Sequence, residues 1–431
     1  MISYRKLAMR VLGHSPVSAV KTARRSTGKR AAALALTAAL VVGMTLPAFA
    51  DVYDLTKGDI SVGFNTDNKQ TVTQEDGNGG YVKNKNNEDI KDLPDNDVVI
   101  TTKDDETGKV ETTDNTVTIN SNEGKTANVT LDNVNIDTSK TGGAAVSVTG
   151  KGDTNIELDG NNTLTSGYYH AGLEHNKTDD SGTLTITDNN NDGKLTANGG
   201  YKGAGIGGGN SGNGAVTITG GDINANGGYK GAGIGGGYFG NGTVKITDGD
   251  INANGGYKGA GIGGGNEKDG QVTITGGEII ANGGDGSAGI GGGYSGNGTV
   301  TISGGTVTEA SGGGEGAGIG GGDSGNGTVN ISGGTITKAS GGYYGAGIGG
   351  GSSGLGNVSI EGNVTIKNAQ GGVGAAGIGG GARGTSDAAG NGNKISIKST
   401  AAGSPNITAK GGKASDDGLS GGAAIGSGSV V

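Results

Sequence analysis

The sequence predicts an all-β fold, a single-stranded parallel β-helix (solenoid) with three short strands in each coil of about 28 residues. Three observations carry that expectation. The segment Gly203-Ala204-Gly205-Ile206-Gly207-Gly208-Gly209 recurs almost unchanged, its isoleucine returning as Ile234, Ile262, Ile290, Ile319, Ile348 and Ile378 at intervals of 28, 28, 28, 29, 29 and 30 residues. Two further aliphatic patterns fall at fixed places between these markers. Within the marker array, from Gly199 to Gly384, no window offers the roughly ten glycine-free residues that a helix needs, so leucine-rich and helical solenoids are set aside.

Each coil can be justified strand by strand. The marker isoleucine heads the first strand. Val216 and Ile218, Val244 and Ile246, Val272 and Ile274, Val300 and Ile302, and Val329 and Ile331 form the second, where period-two alternation implies one buried face. Ile223, Ile251, Ile279, Val307 and Ile336 mark the third, set off by Gly-Gly or Asp-Gly turns. One such unit buries almost nothing alone. Stacked, its strands pair with their counterparts in the next coil, and the marker isoleucines become a continuous internal ladder with a rise of about 4.8 Å per coil.

The frame extends past the perfect copies. Ala144-Ala145-Val146 and Ala171-Gly172-Leu173 are degraded upstream markers, and Ala423-Ala424-Ile425-Gly426 is a last one, 47 residues after Ile378. Ten markers imply a rod of roughly 45 Å. Residues 51–125 are more acidic and irregular and are expected to form a cap and the first coils; 126–431 hold the repeat array. The chain stops six residues after Ile425, so the open end is expected either to self-associate or to belong to a longer protein.

Composition narrows the class. Of 431 residues 101 are Gly, 4 are Pro, 3 are Phe, and none is Cys or Trp, which leaves too little bulk for one large spherical core. Collagen would need Gly at every third position. Residues 1–50 read as a signal peptide: eight cations from Arg5 to Arg30, an apolar stretch over 31–46, and Ala48-Phe49-Ala50 as the cleavage site. Its removal takes the formal charge from −9 to −17 and leaves Arg383 as the only arginine. A secreted or extracellular location follows, with attachment to a cell surface as an option. So acidic a chain is a poor partner for nucleic acid, and no mature segment is expected to insert in a membrane.

Tyrosine is the candidate ligand-binding residue. Tyr201, Tyr229 and Tyr257 share one position in three successive coils, each followed by Lys202, Lys230 or Lys258, and Tyr343 and Tyr344 return to that corner. Tyr238 and Tyr294 occupy a second corner two coils apart, about 9.6 Å at the expected rise. Sugars stack on aromatic faces while neighbouring Asn and Asp bond their hydroxyls; a ladder that only stiffens the corner is the alternative. Calcium is the candidate cofactor, at Asp188, Asn190 and Asp192, because 188–193 copies the D-x-N-x-D-G opening of a calcium loop, although its twelfth position is Gly199 rather than Glu. His170, Glu174 and His175 cluster in the degraded coil and are expected to be solvent-exposed without a chemical role. Asp222, Asp250 and Glu278 form an acidic row, and Thr217, Thr273 and Thr301 a broken threonine row too irregular for ice.

The GAGIGGG markers and the spacing between them, from about Asp54 to Ile425, resemble bacterial secreted or surface proteins with such repeats, and more broadly carbohydrate-binding parallel β-helix domains similar to pectate lyases. The resemblance implies a right-handed helix, calcium in some members, and binding of plant or cell-wall glycans. No lyase motif carries over, and catalysis needs one dissimilar constellation where this array supplies many copies of one weak site. The expected function is therefore non-catalytic polysaccharide binding. A structural adhesin or stalk, and a polysaccharide lyase-like enzyme, are the alternatives.

Overall fold

A computed structural model describes residues 51–104, 106–384, 392–415 and 418–429; the expected signal peptide lies outside these residues. The chain winds through about ten turns of about 29 residues as an all-β parallel solenoid, with one three-residue 3-10 turn at Leu55–Lys57. From the coil of Asn135–Asp137 to that of Asn406–Lys410, each turn adds to all three parallel sheets. The first sheet runs from Val52–Asp54 through Asn213–Ile218 to Lys394–Lys398, the second from Asn135–Asp137 through Asp222–Asn226 to Asn406–Lys410. The third begins at Ile60–Phe64, continues through Val117–Ser121, Val146–Gly150 and Leu173–Lys177, and then shortens to two-residue strands from Ile206–Gly207 to Ile425–Gly426. Among the described residues no helix is long and apolar enough to cross a membrane.

The sequence period fixes the register. Ile206 pairs with Ile234 and Ile234 with Ile262, Val216 with Val244, and Ile223 with Ile251, so like residues stand over like. Along Asn213–Ile218 buried and more exposed positions alternate, as period two requires. One aliphatic cluster runs from Tyr53 to Ile378, and the marker isoleucines from Ile206 to Ile378 are wholly buried in it. A core one or two aliphatics thick per strand is enough because every coil covers its neighbour.

Polar ladders close the corners. Asn226 donates from Nδ2 to Asn198 Oδ1 at 2.9 Å, Asn254 to Asn226 at 3.0 Å and Asn282 to Asn254 at 2.9 Å. After the marker isoleucine, Gly207, Gly235, Gly263 and Gly291 take φ between +127° and +136°, and a Cβ on Gly235 would meet the Gly263 carbonyl oxygen at 2.1 Å. Only glycine fits that turn.

The acidic N-terminal stretch already takes part in the stack. Val52–Asp54 pairs in parallel with Val98–Thr101, while Ile60–Phe64 also meets Gln70–Gln74 in an antiparallel hairpin. The buried Gln70 amide stands in for a strand: its Oε1 accepts from the Asn128 N–H at 2.8 Å and its Nε2 donates to the Asn128 carbonyl at 3.0 Å.

Candidate functional site

The tyrosine corner is built by the loop that leads into each marker strand. Five residues before the marker stand Tyr168, Tyr201, Tyr229 and Tyr257, and their rings stack in sequence at centroid distances of 4.8, 4.9 and 5.1 Å with planes within 15° of parallel. All four are exposed, by 41 to 50%. Their faces, however, lie against one another. Face-on sugar stacking along the interior of the row is thereby excluded, and what solvent meets is a line of ring edges and phenol groups. Tyr168 belongs to this row although its marker is degraded; its place five residues before Leu173 is the signal for it.

The lysines form a second row beside the first. Lys202, Lys230 and Lys258 stand four residues before their markers, while Tyr238 and Tyr294 stand four residues after theirs, on the adjoining loop. Backbone bonds from Tyr238 N to the Lys202 carbonyl and from Tyr294 N to the Lys258 carbonyl hold the two loops together. The ammonium of Lys258 lies 3.8 Å from the Tyr294 ring centroid and that of Lys230 4.5 Å from Tyr238; Lys202 lies 5.3 Å from Tyr238 and 5.2 Å from Tyr169. Tyr238 also stacks on Phe239. Tyr238 and Tyr294 are accordingly half-buried platforms for lysine rather than free faces for a ligand.

The rows then change character. Asp285 and Gly314 stand where the tyrosines would continue, Gly286 and Glu315 where the lysines would, and Asp323 takes the next place after Tyr294. Asp285 accepts a hydrogen bond from the Tyr257 hydroxyl, which raises that phenol's pKa. Burial, and then the neighbouring Asp323, raises the pKa of Glu315; burial raises that of Asp323, against the pull of Arg383. Arg383 lies over the Tyr344 ring at 5.0 Å. Beyond this acidic break, Tyr343 resumes the tyrosine position and touches Tyr344 edge to face at 4.6 Å. The seven predicted tyrosines therefore fall in two groups, Tyr201, Tyr229, Tyr257, Tyr238 and Tyr294 on one side and Tyr343 and Tyr344 on the other. Sequence reasoning missed both the acidic break and the contacts between lysine and tyrosine.

Asp188, Asn190 and Asp192 lie in the expected loop. Asp188 Oδ2 accepts from Gly193 N at 3.3 Å and Asn190 Oδ1 from Asp192 N at 3.4 Å, the bonds of an ordinary acidic turn. Among the described residues no three His, Cys, Asp or Glu side chains are placed to hold a metal ion. The turn does crowd carboxylates from three coils. Burial first, and then the charges of Asp132 and Asp192, push the Asp159 carboxyl up to about 6.

The expectation of exposure is corrected for Glu174 and His175, while His170 stays partly exposed. Glu174 is 6% and His175 2% exposed. Leu173 and His175 lie two apart on one strand and so face inward together, a relation legible in the sequence. Both His175 ring nitrogens face carbonyl oxygens, Val148 at 3.4 Å and Gly182 at 3.2 Å, and burial lowers its pKa. Glu174 is fully engaged by His170 Nδ1 at 2.9 Å, Ala171 N at 3.0 Å and Asn176 Nδ2 at 3.0 Å. The three residues knit a glycine-poor coil together.

Six segments, 190–210, 216–238, 244–266, 272–294, 300–323 and 329–352, match the family described as a beta helix repeat. Neither the curated proteins nor the solved structures include a match. Fold and repeat are thus those of a β-helix repeat protein.

Proposed function

We propose that this chain is a non-catalytic, extracellular β-helical rod that binds polysaccharide along the segment of its tyrosine corner from Tyr168 to Tyr294. One observation carries the reading: four phenols and three ammonium groups recur on consecutive coils about 4.8 Å apart, a straight array of many equivalent weak contacts. Phenol hydroxyls and ring edges would meet sugar hydroxyls and C–H groups, since the ring faces are taken. Avidity, rather than any single strong site, would hold a long polymer to such a surface.

The self-stacked rings also favour a second reading, a stalk in which the ladder merely stiffens the corner. Replacing Tyr201, Tyr229 and Tyr257 together by Phe separates the two, because it keeps the stack and removes the hydroxyls. In a pull-down on insoluble and immobilised glycans, loss of retention at an unchanged melting midpoint supports binding. Absence of retention of the unmodified chain on every glycan supports the stalk. Calcium is tested in the same assay by adding the ion or a chelator, with Asp188→Ala as the variant.

A further inference from the structure

We infer that the polymer bound at this corner is a polyanion, with its acidic groups held by Lys202, Lys230 and Lys258. The inference rests on the glycan reading and names the ligand's chemical class. Among the described residues these three lysines make no ion pair, whereas Lys194 is bound to Asp222 at 2.6 Å and Lys338 to Glu309 at 2.7 Å. In a chain whose formal charge is −9, three adjacent cations without carboxylate partners are a local reversal of sign.

The fold holds them in place. A ring face attracts an ammonium without neutralising it, so Tyr238 and Tyr294 position the charges and leave them available to a ligand. Three ammonium groups repeated about every 4.8 Å repel one another by roughly 1 kcal/mol per neighbouring pair in water. A ligand bearing regularly spaced acidic groups removes that repulsion, while a neutral glycan leaves it. The half-buried stems and the backbone bonds between the loops limit the motion that would otherwise relieve it.

The acidic break supplies a boundary. Asp285, Glu315 and Asp323 take over the three rows where the lysines end, and they would repel a polyanion that continued past Tyr294. The footprint therefore covers the coils of Tyr169, Lys202, Lys230 and Lys258, roughly 15 to 20 Å of rod. Uronate carboxylates and sulfate esters share the required chemistry, so the two sources need separate arms.

The experiment uses the full chain in affinity electrophoresis with four polymers: a polyuronate, the same polymer after reduction of its carboxyl groups, a sulfated glycan and single-stranded DNA. Retention is expected on the polyuronate or the sulfated glycan, lost on the reduced polymer, and weakened roughly 20- to 40-fold between 50 and 200 mM salt, as for about three displaced counterions. The triple variant Lys202→Gln, Lys230→Gln, Lys258→Gln should lose at least tenfold in affinity with an unchanged melting midpoint. The triple Arg variant should restore binding, and Lys194→Gln should bind as the unmodified chain does. Equal retention on the reduced polymer, or a glutamine triple variant that binds normally, overturns the inference and leaves the glycan reading standing. Equal affinity for DNA would mean that the lysines hold any polyanion and overturns the glycan reading. No retention on any glycan overturns both.

Discussion

The third sheet is built in two ways along one rod, and the contrast explains what the glycine marker does. In the N-terminal coils its strands are five residues long, Val117–Ser121, Val146–Gly150 and Leu173–Lys177; from Ile206 onward they shrink to two. One column passes through both regions: Thr118, Ser147, Glu174, Gly207 and Gly235 stand in register. Where the chain runs on as a strand, the column accepts a side chain. Where it turns at once with φ near +130°, the column must be glycine, because the next coil's carbonyl occupies the place of Cβ. The aliphatic ladder beside it is indifferent to the change: Val117, Val146, Leu173 and Ile206 are all fully buried.

The largest effect should come from moving the N-terminal solution into the marker region. Gly235→Val places a branched side chain at φ +132° and against the Gly263 oxygen, and is expected to cost about 4 kcal/mol, from backbone strain together with separation of two coils. Ser147→Val at the same register, on an extended strand, should change stability by less than about 0.5 kcal/mol. Urea unfolding monitored by far-ultraviolet circular dichroism measures both. Similar costs at the two positions would break the contrast.

The second prediction asks whether the two regions share one core. Leu173→Ala and Ile262→Ala each remove a fully buried side chain from the same ladder and should each cost about 3 kcal/mol. A cost under about 1 kcal/mol at Leu173 alone would mean that the N-terminal coils unfold separately from the marker coils, as a linear repeat array permits.

The same contrast shows what could be read in advance. Strand register was legible because the sequence period equals one coil, so comparing equal phases of the repeat compares residues that touch. Lys202 and Tyr238 touch at unequal phases, four before one marker and four after the next, and no comparison of repeats pairs them. The tyrosine row was legible as a row. That its rings would stack face to face, and so be lost as sugar platforms, depends on side-chain rotamers that the period does not encode. His175 was misplaced for another reason: its coil had lost the marker, and the alternation that buries it begins from Leu173 rather than from a glycine turn.

The smallest prediction concerns charge at the junction of the two regions, where Asp132 and Asp159 stand in register and Asp192 joins them from the next coil. Folding raises the Asp159 carboxyl from 3.8 to about 6, so the folded chain keeps that proton longer than the unfolded one. Below about pH 4 both states are protonated and Asp159 is neutral in its effect. As the pH rises through 4 to 6 the unfolded chain ionises first, stability falls, and the loss is complete above the folded pKa. Because the carboxyl is only half-buried, solvent screening reduces the cost to about 1 kcal/mol. Asp159→Asn should therefore raise the melting midpoint at pH 7.5 and leave it unchanged at pH 3.5. In the marker region the exposed Asp222 pairs with Lys194, and Asp222→Asn should lower stability slightly at pH 7.5. Stabilisation by Asp159→Asn that persisted at pH 3.5 would assign the effect to packing of the turn instead of to its crowded carboxylates.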